Sequence, residues 1–87
     1  MNYYFCFISA EDIKKHPNAE GMTYAYEHKS DWVLGAEGAS EWVSGSVLGV
    51  HYVIHYGKAY WLKKIYYDID ESNVVVVCTE STQGCDN

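Results

Sequence analysis

Residues 46–80 contain three segments of strand-forming side chains, separated by two short turn sequences. In the first segment, apolar and aromatic residues alternate with the two-residue period of a β-strand. Gly57 and Lys58 close a hairpin into residues 59–69, and the polar residues 70–73 turn the chain again. The β-branched run 74–77 is typical of a strand that is covered on both faces. We therefore predict a C-terminal meander of three antiparallel strands.

The middle strand of this meander is long enough for its two faces to be assigned by alternation. Strict alternation places one set of residues on the more apolar side, namely Trp61, Lys63, Ile65, Tyr67 and Ile69. The other side then carries Tyr60, Leu62, Lys64, Tyr66 and Asp68. This assignment predicts that Tyr60 and Tyr66 lie on the same face.

Two further segments before the meander have the features of strands. Residues 3–8 form an apolar and aromatic run, which predicts an interior strand. Residues 22–28 alternate, with Met22, Tyr24, Tyr26 and His28 on one face, which predicts a second strand. Residues 31–34 follow a turn sequence and are expected to return as its short hairpin partner.

One short helix is expected between these two strands. Ser9 precedes the sequence AEDIKK, and Asp12 follows Ser9 by three residues, as at a helix N-terminus with a capping side chain. The helix must end before Pro17, because proline disfavours the helical conformation in the residue before it. The sequence thus predicts an α+β fold, with an antiparallel sheet of about five strands and one short helix after the first strand.

The length of 87 residues leaves room for one hydrophobic core. We expect one domain over residues 1–80 and a polar tail over residues 81–87. The apolar fraction of 48% is too high for a disordered chain, and no stretch approaches the roughly 20 apolar residues of a membrane span. The N-terminal sequence lacks a basic segment followed by an apolar one, so a cytoplasmic protein is expected.

The charge balance bears on the partners of the protein. The formal net charge is −6, with twelve acidic residues against six basic ones, and all six basic residues are lysine. Arginine is the preferred residue for bidentate contacts to phosphate and guanine. Its absence and the acidic balance make direct nucleic-acid binding unfavourable and favour a protein partner with a basic surface.

The cysteines and histidines do not have the spacing of a metal site or of a disulfide framework. Cys6 and Cys78 are predicted to be buried strand residues, and Cys85 lies in the polar tail. His51 and His55 share a strand face but stand about 13 Å apart at ~3.3 Å per residue, too far to bind one metal ion together. We expect no metal and no cofactor.

Residues 68–73 begin like a calcium-binding EF-hand loop, with oxygen ligands at alternate positions. Asn73 replaces the glycine required at the sixth position, and Thr79 replaces the bidentate glutamate at the twelfth. A β-branched strand follows in place of a helix. A hairpin turn accounts for this segment better.

Catalytic motifs are absent from the sequence. No serine lies in a nucleophile elbow, and the apolar strand around Cys6 raises its pKa and makes the thiol inert. We therefore expect a protein that is not an enzyme. A metal-dependent or cysteine enzyme that uses Cys6 or His51 is the least favoured alternative.

The aromatic content is larger than one small core can enclose. Nine tyrosines and three tryptophans occur in 87 residues, and carboxylates interleave with them in the sequence. Tyrosine and tryptophan rings rimmed by acidic groups suit an interface with a basic partner. The expected binding residues are Tyr24, Tyr26, Trp32, Trp42, His51, His55, Tyr60, Tyr66 and Asp68.

These observations favour a small acidic binding protein that acts through a surface rich in tyrosine and tryptophan. In size and composition the chain resembles the phage and mobile-element accessory proteins that inhibit a host protein. An exposed tyrosine-rich strand also favours a homodimer. The alternative is a module that senses or sequesters a nucleotide or metabolite in a pocket lined by His51, His55 and neighbouring tyrosines.

Overall fold

A computed structural model of the chain describes residues 2–35 and 52–81. The five strands of the described sheet lie in the order β2-β1-β5-β4-β3. Two short helices follow β1, and a single 3₁₀ turn at Lys29–Asp31 precedes β2. The elements are β1 (Asn2–Ile8), α1 (Ala10–Lys15), α2 (Met22–Glu27), β2 (Val33–Leu34), β3 (Tyr52–His55), β4 (Lys58–Asp68) and β5 (Asn73–Glu80). The expectation of a mainly sheet fold with some helix is confirmed.

The sheet is mixed, so the prediction of an antiparallel sheet is wrong. β4 pairs antiparallel with β5 and with β3, and β2 pairs antiparallel with β1. β1 and β5, however, run parallel, with Cys6 opposite Val77. The hydrophobic pattern of a buried strand reports that both faces are covered, but it carries no information on the direction of its neighbour. The two helices join β1 to its antiparallel neighbour β2, and β5 follows β3 and β4 in the chain, so the parallel pair joins distant segments and is not revealed by the sequence pattern.

β5 is the central strand and is covered on both faces, as predicted from its β-branched run. Its residues 74–79 are all buried, and Val75, Val76 and Val77 have no exposed surface. Cys6 and Cys78 are buried strand residues with free thiols, which confirms that expectation. The centre of the fold is therefore apolar on both sides of the sheet.

α1 begins at Ala10 with two side chains bound to its first backbone N–H groups. Asp12 N donates to Ser9 Oγ at 3.1 Å, and Ala10 N donates to Glu80 Oε1 at 3.0 Å. These acceptors satisfy donors that have no partner within the helix. Glu80, the last residue of β5, thereby connects that strand to the start of α1.

Residues 22–27 form the helix α2, so the prediction of a strand over 22–28 is wrong. His28 N donates to the carbonyl of Tyr24 at 3.3 Å, and the Trp32 indole Nε1 donates to the carbonyl of Ala25 at 2.9 Å. A segment of six residues is too short for alternation alone to distinguish a strand from one and a half helical turns. The prediction that residues 31–34 form a hairpin with residues 22–28 is also wrong, because β2 pairs with β1.

β4 contains a bulge that changes which of its residues share a face. The register with β5 shifts between Leu62 and Lys64, since Leu62 faces Cys78 and Lys64 faces the adjacent Val77. An extra residue in one strand reverses the alternation beyond it. Tyr60 and Tyr66 therefore lie on opposite faces, and the predicted assignment by strict alternation is wrong.

The sheet buries a separate hydrophobic cluster on each side. The side that carries α1 and α2, called here the helix face, packs Cys6, Ile8, Ala19, Ala25, Val75 and Val77 with Ile13, Tyr24, Tyr26, Trp32 and Tyr66. The opposite face packs Tyr60, Val74, Val76 and Cys78 with Tyr3, Phe5, Phe7, Val53, Leu62 and Ile65. Within residues 2–35 and 52–81, no helix is long and apolar enough to cross a membrane.

Candidate binding cleft

A cleft of about 900 Å³ opens on the helix face, between α2 and the turn that joins β4 to β5. We call it the α2 cleft. One wall belongs to the helix and the other to the end of β4 and the following turn. The lining residues are Met22, Thr23, Tyr26, Glu27, Tyr66, Tyr67, Asp68, Ile69 and Asp70.

A hydrogen bond joins the two walls of the cleft. The Tyr26 hydroxyl on α2 donates to Asp68 Oδ2 at the end of β4. The other oxygen of the same carboxylate, Oδ1, accepts the backbone N–H of Glu71 at 3.1 Å. Tyr66 adds a second link, because its hydroxyl donates to the carbonyl of Glu20 at 3.2 Å. The Tyr26 bond therefore connects α2 to the end of β4, and the Tyr66 bond connects β4 to the segment that precedes α2.

The Tyr26–Asp68 bond changes the acidity of both groups. Desolvation by burial, followed by the bond to Asp68, raises the pKa of Tyr26 to about 12. The Tyr26 hydroxyl and the Glu71 N–H together lower the pKa of Asp68 below its ordinary value. Tyr26 is protonated and Asp68 is ionised at neutral pH, and the two shifts widen the pH range over which the bond persists.

Two other carboxylates line the cleft without such a role. Glu27 on α2 and Asp70 in the turn are exposed, and neither side-chain carboxylate makes a hydrogen bond or ion pair to another described residue. Lys29 is the nearby basic residue, with Nζ 6.0 Å from the centre of the Tyr26 ring, and it does not line the cleft. The lining is thus acidic, with two carboxylates open to a partner.

The cleft also exposes apolar surface. Met22 is 53% exposed, Tyr67 is 57% exposed and Ile69 is 72% exposed. Single exposed apolar residues are ordinary on a soluble protein, but these three border one concavity. The combination of apolar groups with open carboxylates can hold a group that is apolar along its length and cationic at its end.

A smaller cleft of about 480 Å³ lies on the other side of α2. Met22, Thr23 and Glu27 contribute to both clefts, so this edge of the helix forms a ridge between them. The smaller cleft is lined by Lys15, His16, Pro17, Asn18, Gly21, Met22, Thr23, Tyr24 and Glu27.

The structure brings together three of the residues predicted to bind a partner. Tyr26, Tyr66 and Asp68 line the α2 cleft. Tyr24 lines the smaller cleft, with its ring 4.1 Å from that of His28. Trp32 packs behind Tyr26, with ring centres 5.0 Å apart in an edge-to-face arrangement, so it supports the cleft without lining it.

The other predicted residues lie elsewhere. His55 and Tyr60 contact Phe7 on the opposite face of the sheet, with ring centres 4.3 Å and 4.7 Å from that of Phe7. Tyr60 is buried and its pKa is raised, first by desolvation. Trp42 and His51 lie outside the described residues.

Six of the nine lining residues of the cleft are not among the predicted binding residues, namely Met22, Thr23, Glu27, Tyr67, Ile69 and Asp70. Ile69 gives the clearest signal in the sequence, because an isoleucine in an otherwise polar turn has no role in the turn itself. The three residues from α2, Met22, Thr23 and Glu27, cannot be placed in a cleft from a strand prediction over 22–28.

The described residues include two free thiols and side chains of the kinds that bind metal ions. Within 2–35 and 52–81, no three histidine, cysteine or acidic side chains are grouped to hold a metal ion. Burial raises the pKa of Cys6 and raises that of Cys78 to about 12, so neither thiol is an activated nucleophile. Comparisons of the chain with protein-family models, with curated proteins and with solved structures found no match.

Proposed function

We propose that this protein is a non-enzymatic binding protein whose α2 cleft receives a basic segment of a partner protein. The observation that carries the proposal is the meeting of open carboxylates and exposed apolar groups in one concavity of about 900 Å³. Aromatic anchors within an acidic rim complement a partner that presents lysine or arginine beside apolar side chains. The formal charge of −6 adds long-range attraction to such a partner.

In this proposal the protein acts as an inhibitor that covers a basic site on a larger host protein, in the manner of phage accessory proteins. A chain of 87 residues can cover only a small part of a partner, so one well-defined cleft is a suitable anchor. A cytoplasmic setting is part of the proposal. Two buried free thiols, in place of a disulfide, support that setting.

The proposal is tested by affinity capture from host lysate with matched charge variants. The double variant Glu27→Gln and Asp70→Asn removes both open carboxylates of the cleft. The double control Glu11→Gln and Asp31→Asn removes the same charge from exposed positions that do not line the cleft. A partner that binds through the cleft is retained by the control and lost by the cleft variant.

Purified partner then gives the quantitative result. The dissociation constant should rise with salt concentration, because the attraction between exposed charges is screened. Removal of both carboxylates should weaken binding more than the control does at every salt concentration. Equal binding by the cleft variant and the control, or recovery of no partner at low salt, would contradict the proposal.

A homodimer through β3 is a further part of the proposal. β3 forms one edge of the described sheet, and its residues Tyr52 and Ile54 are exposed. Tyr56, in the turn after β3, is 93% exposed. Pairing of two such edges would cover these side chains and the outer backbone groups of β3, which pair with no other described strand. Light scattering at micromolar concentration tests this, and a mass of one chain throughout would exclude the dimer.

The volume of the α2 cleft also supports a second candidate function, the sequestering of a small molecule. Small-ligand sites commonly measure about 300–1,000 Å³ and are largely apolar with a few polar groups. The carboxylates would repel the phosphates of a nucleotide, so a cationic metabolite fits this cleft better. A thermal-shift screen tests the candidate, since a ligand that binds the folded state raises the midpoint of unfolding.

A further inference from the structure

The bulge in β4 changes the placement of two adjacent lysine side chains. Strict alternation would put Lys63 and Lys64 on opposite faces of the sheet. In the structure Lys64 pairs with Val77, which belongs to the helix-face cluster. Lys63 is the additional residue of the bulge, and its Nζ lies 5.8 Å from the centre of the Trp61 ring. A bulge can redirect a side chain in this way.

Trp61 and a neighbouring tyrosine also lie on the helix face. Ile8, from the helix-face cluster, is the register partner of Thr79, and Thr79 is the partner of Trp61. Trp61 in turn pairs with Tyr52 of β3, and their ring centres are 4.3 Å apart. Directly paired residues of neighbouring strands share a face. The bulge therefore groups two lysines with two aromatic rings, and we call this group of Tyr52, Trp61, Lys63 and Lys64 the β4 patch.

The β4 patch is accessible to a partner. Lys63 and Lys64 are exposed, and neither makes an ion pair with another described residue. Tyr52 is 45% exposed and Trp61 is half-buried. β4 lies one strand inside the β3 edge, so a dimer through that edge would leave the helix face of β4 open.

The chemistry of the patch fits an acidic segment of a protein. Each of the two ammonium groups can pair with a carboxylate, and the rings of Tyr52 and Trp61 offer apolar area to a side chain between them. A nucleic acid fits less well, because it carries a charge on every nucleotide and the protein has a formal charge of −6. Attraction at two lysines would then be opposed by repulsion from the rest of the molecule.

We propose that the β4 patch binds an acidic segment of a partner protein, in which two carboxylates flank an apolar side chain. The inference does not depend on the proposed function, because the patch and the α2 cleft share no residue and have opposite charge. A chain that has both surfaces can hold two segments of opposite charge.

The test uses the full chain, labelled with nitrogen-15, and two blocked pentapeptides. One has a glutamate on each side of a central leucine, and the other has glutamine at those two positions. The amide resonance of Tyr52 and the indole resonance of Trp61 report on the patch, whereas the amide resonances of Thr23 and Asp70 report on the α2 cleft. The glutamate peptide should shift the patch resonances and not those of the cleft. It should bind about two- to tenfold more tightly than the glutamine peptide, as expected for two exposed ion pairs.

Variants of the two lysines test the shared face. Lys63→Gln and Lys64→Gln should each weaken the glutamate peptide about two- to fivefold, because both ammonium groups face the same segment. The double control Lys14→Gln and Lys15→Gln removes two adjacent exposed lysines from α1 and should weaken it less than the double patch variant does. The dispersion of the amide spectrum establishes that each variant is folded. The comparison of the two peptides on the unmodified protein stands without the variants.

The outcomes also separate an acidic protein segment from other occupants. Equal binding of the two peptides, or shifts confined to residues outside the patch, would overturn the inference. A loss of affinity with only one of the two lysine variants would overturn the shared face and the pairing with two carboxylates. Tighter binding of a single-stranded DNA of five thymidines than of the glutamate peptide, with shifts at the patch, would overturn the assignment to a protein partner. The α2 cleft is tested separately, through its basic partner and the variants of Glu27 and Asp70.

Discussion

The middle of the β4–β5 hairpin and its turn end are built from the same two strands but differ in their chemistry. In the middle, Val76 and Val77 are wholly buried and pair with Ile65 and Lys64 of β4. At the turn end, Asp68 and Asp70 border an open cleft together with the exposed side chain of Ile69. Burial of apolar area stabilises the middle of the hairpin, whereas the turn end leaves apolar and charged side chains exposed to solvent.

Together with the proposed function, this difference predicts that stability and partner binding depend on separate parts of one hairpin. Substitutions near the centre of the sheet should change the free energy of unfolding and leave the cleft lining in place. Substitutions at the rim of the cleft should have the reverse effect. Tyr26 lies between these extremes, because it packs with the helix-face cluster and also bonds to Asp68 in the cleft.

The largest effect is expected from Ile8→Ala in β1. Ile8 is wholly enclosed in the helix-face cluster, so truncation removes buried methyl and methylene groups and leaves a cavity. The expected loss is about 2–5 kcal/mol in the free energy of unfolding, measured by urea denaturation. Leu34→Ala at the edge of the sheet is the control and should cost less, because Leu34 is 58% exposed. Equal losses for the two variants would contradict the assignment of the core.

The buried strand at the centre of the sheet could be predicted from the sequence, whereas the helix that lines the cleft could not. Residues 74–77 were assigned correctly to a strand covered on both faces, because a β-branched run has few other stable environments. Residues 22–28 were assigned wrongly, because tertiary contacts decide between helix and strand in so short a segment. Ala25 is buried and the Trp32 indole donates to its carbonyl, and neither contact can be inferred from alternation.

The cleft was predicted only in part for the same physical reason. Tyr26, Tyr66 and Asp68 were selected by residue type, since tyrosine and carboxylate recur at interfaces. Their meeting depends on the position of α2 and on the bulge in β4, which turns Tyr66 and Asp68 toward the helix face. Glu27 and Asp70 become neighbours of one cleft only through that packing. Sequence periodicity within a single strand does not contain this information.

A smaller effect, of opposite sign, is expected at the other turn of the meander. Tyr56 has a φ of 51° and precedes Gly57 with a φ of 78°, the left-handed pair found in two-residue hairpin turns. An aromatic residue is disfavoured there, whereas asparagine is favoured before glycine. Tyr56→Asn should therefore stabilise the fold by about 1 kcal/mol in urea denaturation. Tyr52→Asn, which changes an exposed tyrosine in β3, should not stabilise it, and a gain there would contradict the explanation.

The next effect concerns the dependence of stability on pH. Asp68 has a lowered pKa in the folded protein, so its contribution is present above the ordinary pKa of 3.8 and is lost as the pH falls through the lowered value. Tyr26 has a raised pKa, so its contribution is present below pH 10 and is lost as the pH rises toward about 12.

Tyr26→Phe removes the hydroxyl that titrates at high pH and the hydrogen bond that is the first cause of the lowered pKa of Asp68, so it should flatten the stability profile below pH 4 and between pH 10 and 12. Tyr67→Phe is the matched control, because Tyr67 lines the same cleft and no hydrogen bond of its hydroxyl to a described residue is present. Thermal unfolding across the pH range measures both variants. Equal profiles for Tyr26→Phe and the unmodified protein would mean that the bond does not contribute in solution.

The smallest effect on stability is expected for Asp70→Asn at the rim of the cleft. Asp70 is exposed and its carboxylate has no partner among the described residues, so its replacement should change the free energy of unfolding by no more than about 0.5 kcal/mol. The change should be toward higher stability, because Asp68, Asp70 and Glu71 are close in sequence and their negative charges repel one another. Glu11→Gln removes an equal charge from the exposed Lys15 pair in α1 and should not give this gain. If stability and partner binding depend on separate parts of the hairpin, the Asp70 carboxylate should be needed to hold a cationic partner and should not stabilise the fold. A loss of more than 1 kcal/mol in urea denaturation of Asp70→Asn would instead make the rim part of the folded framework, and the contrast between the two ends of the hairpin would not hold.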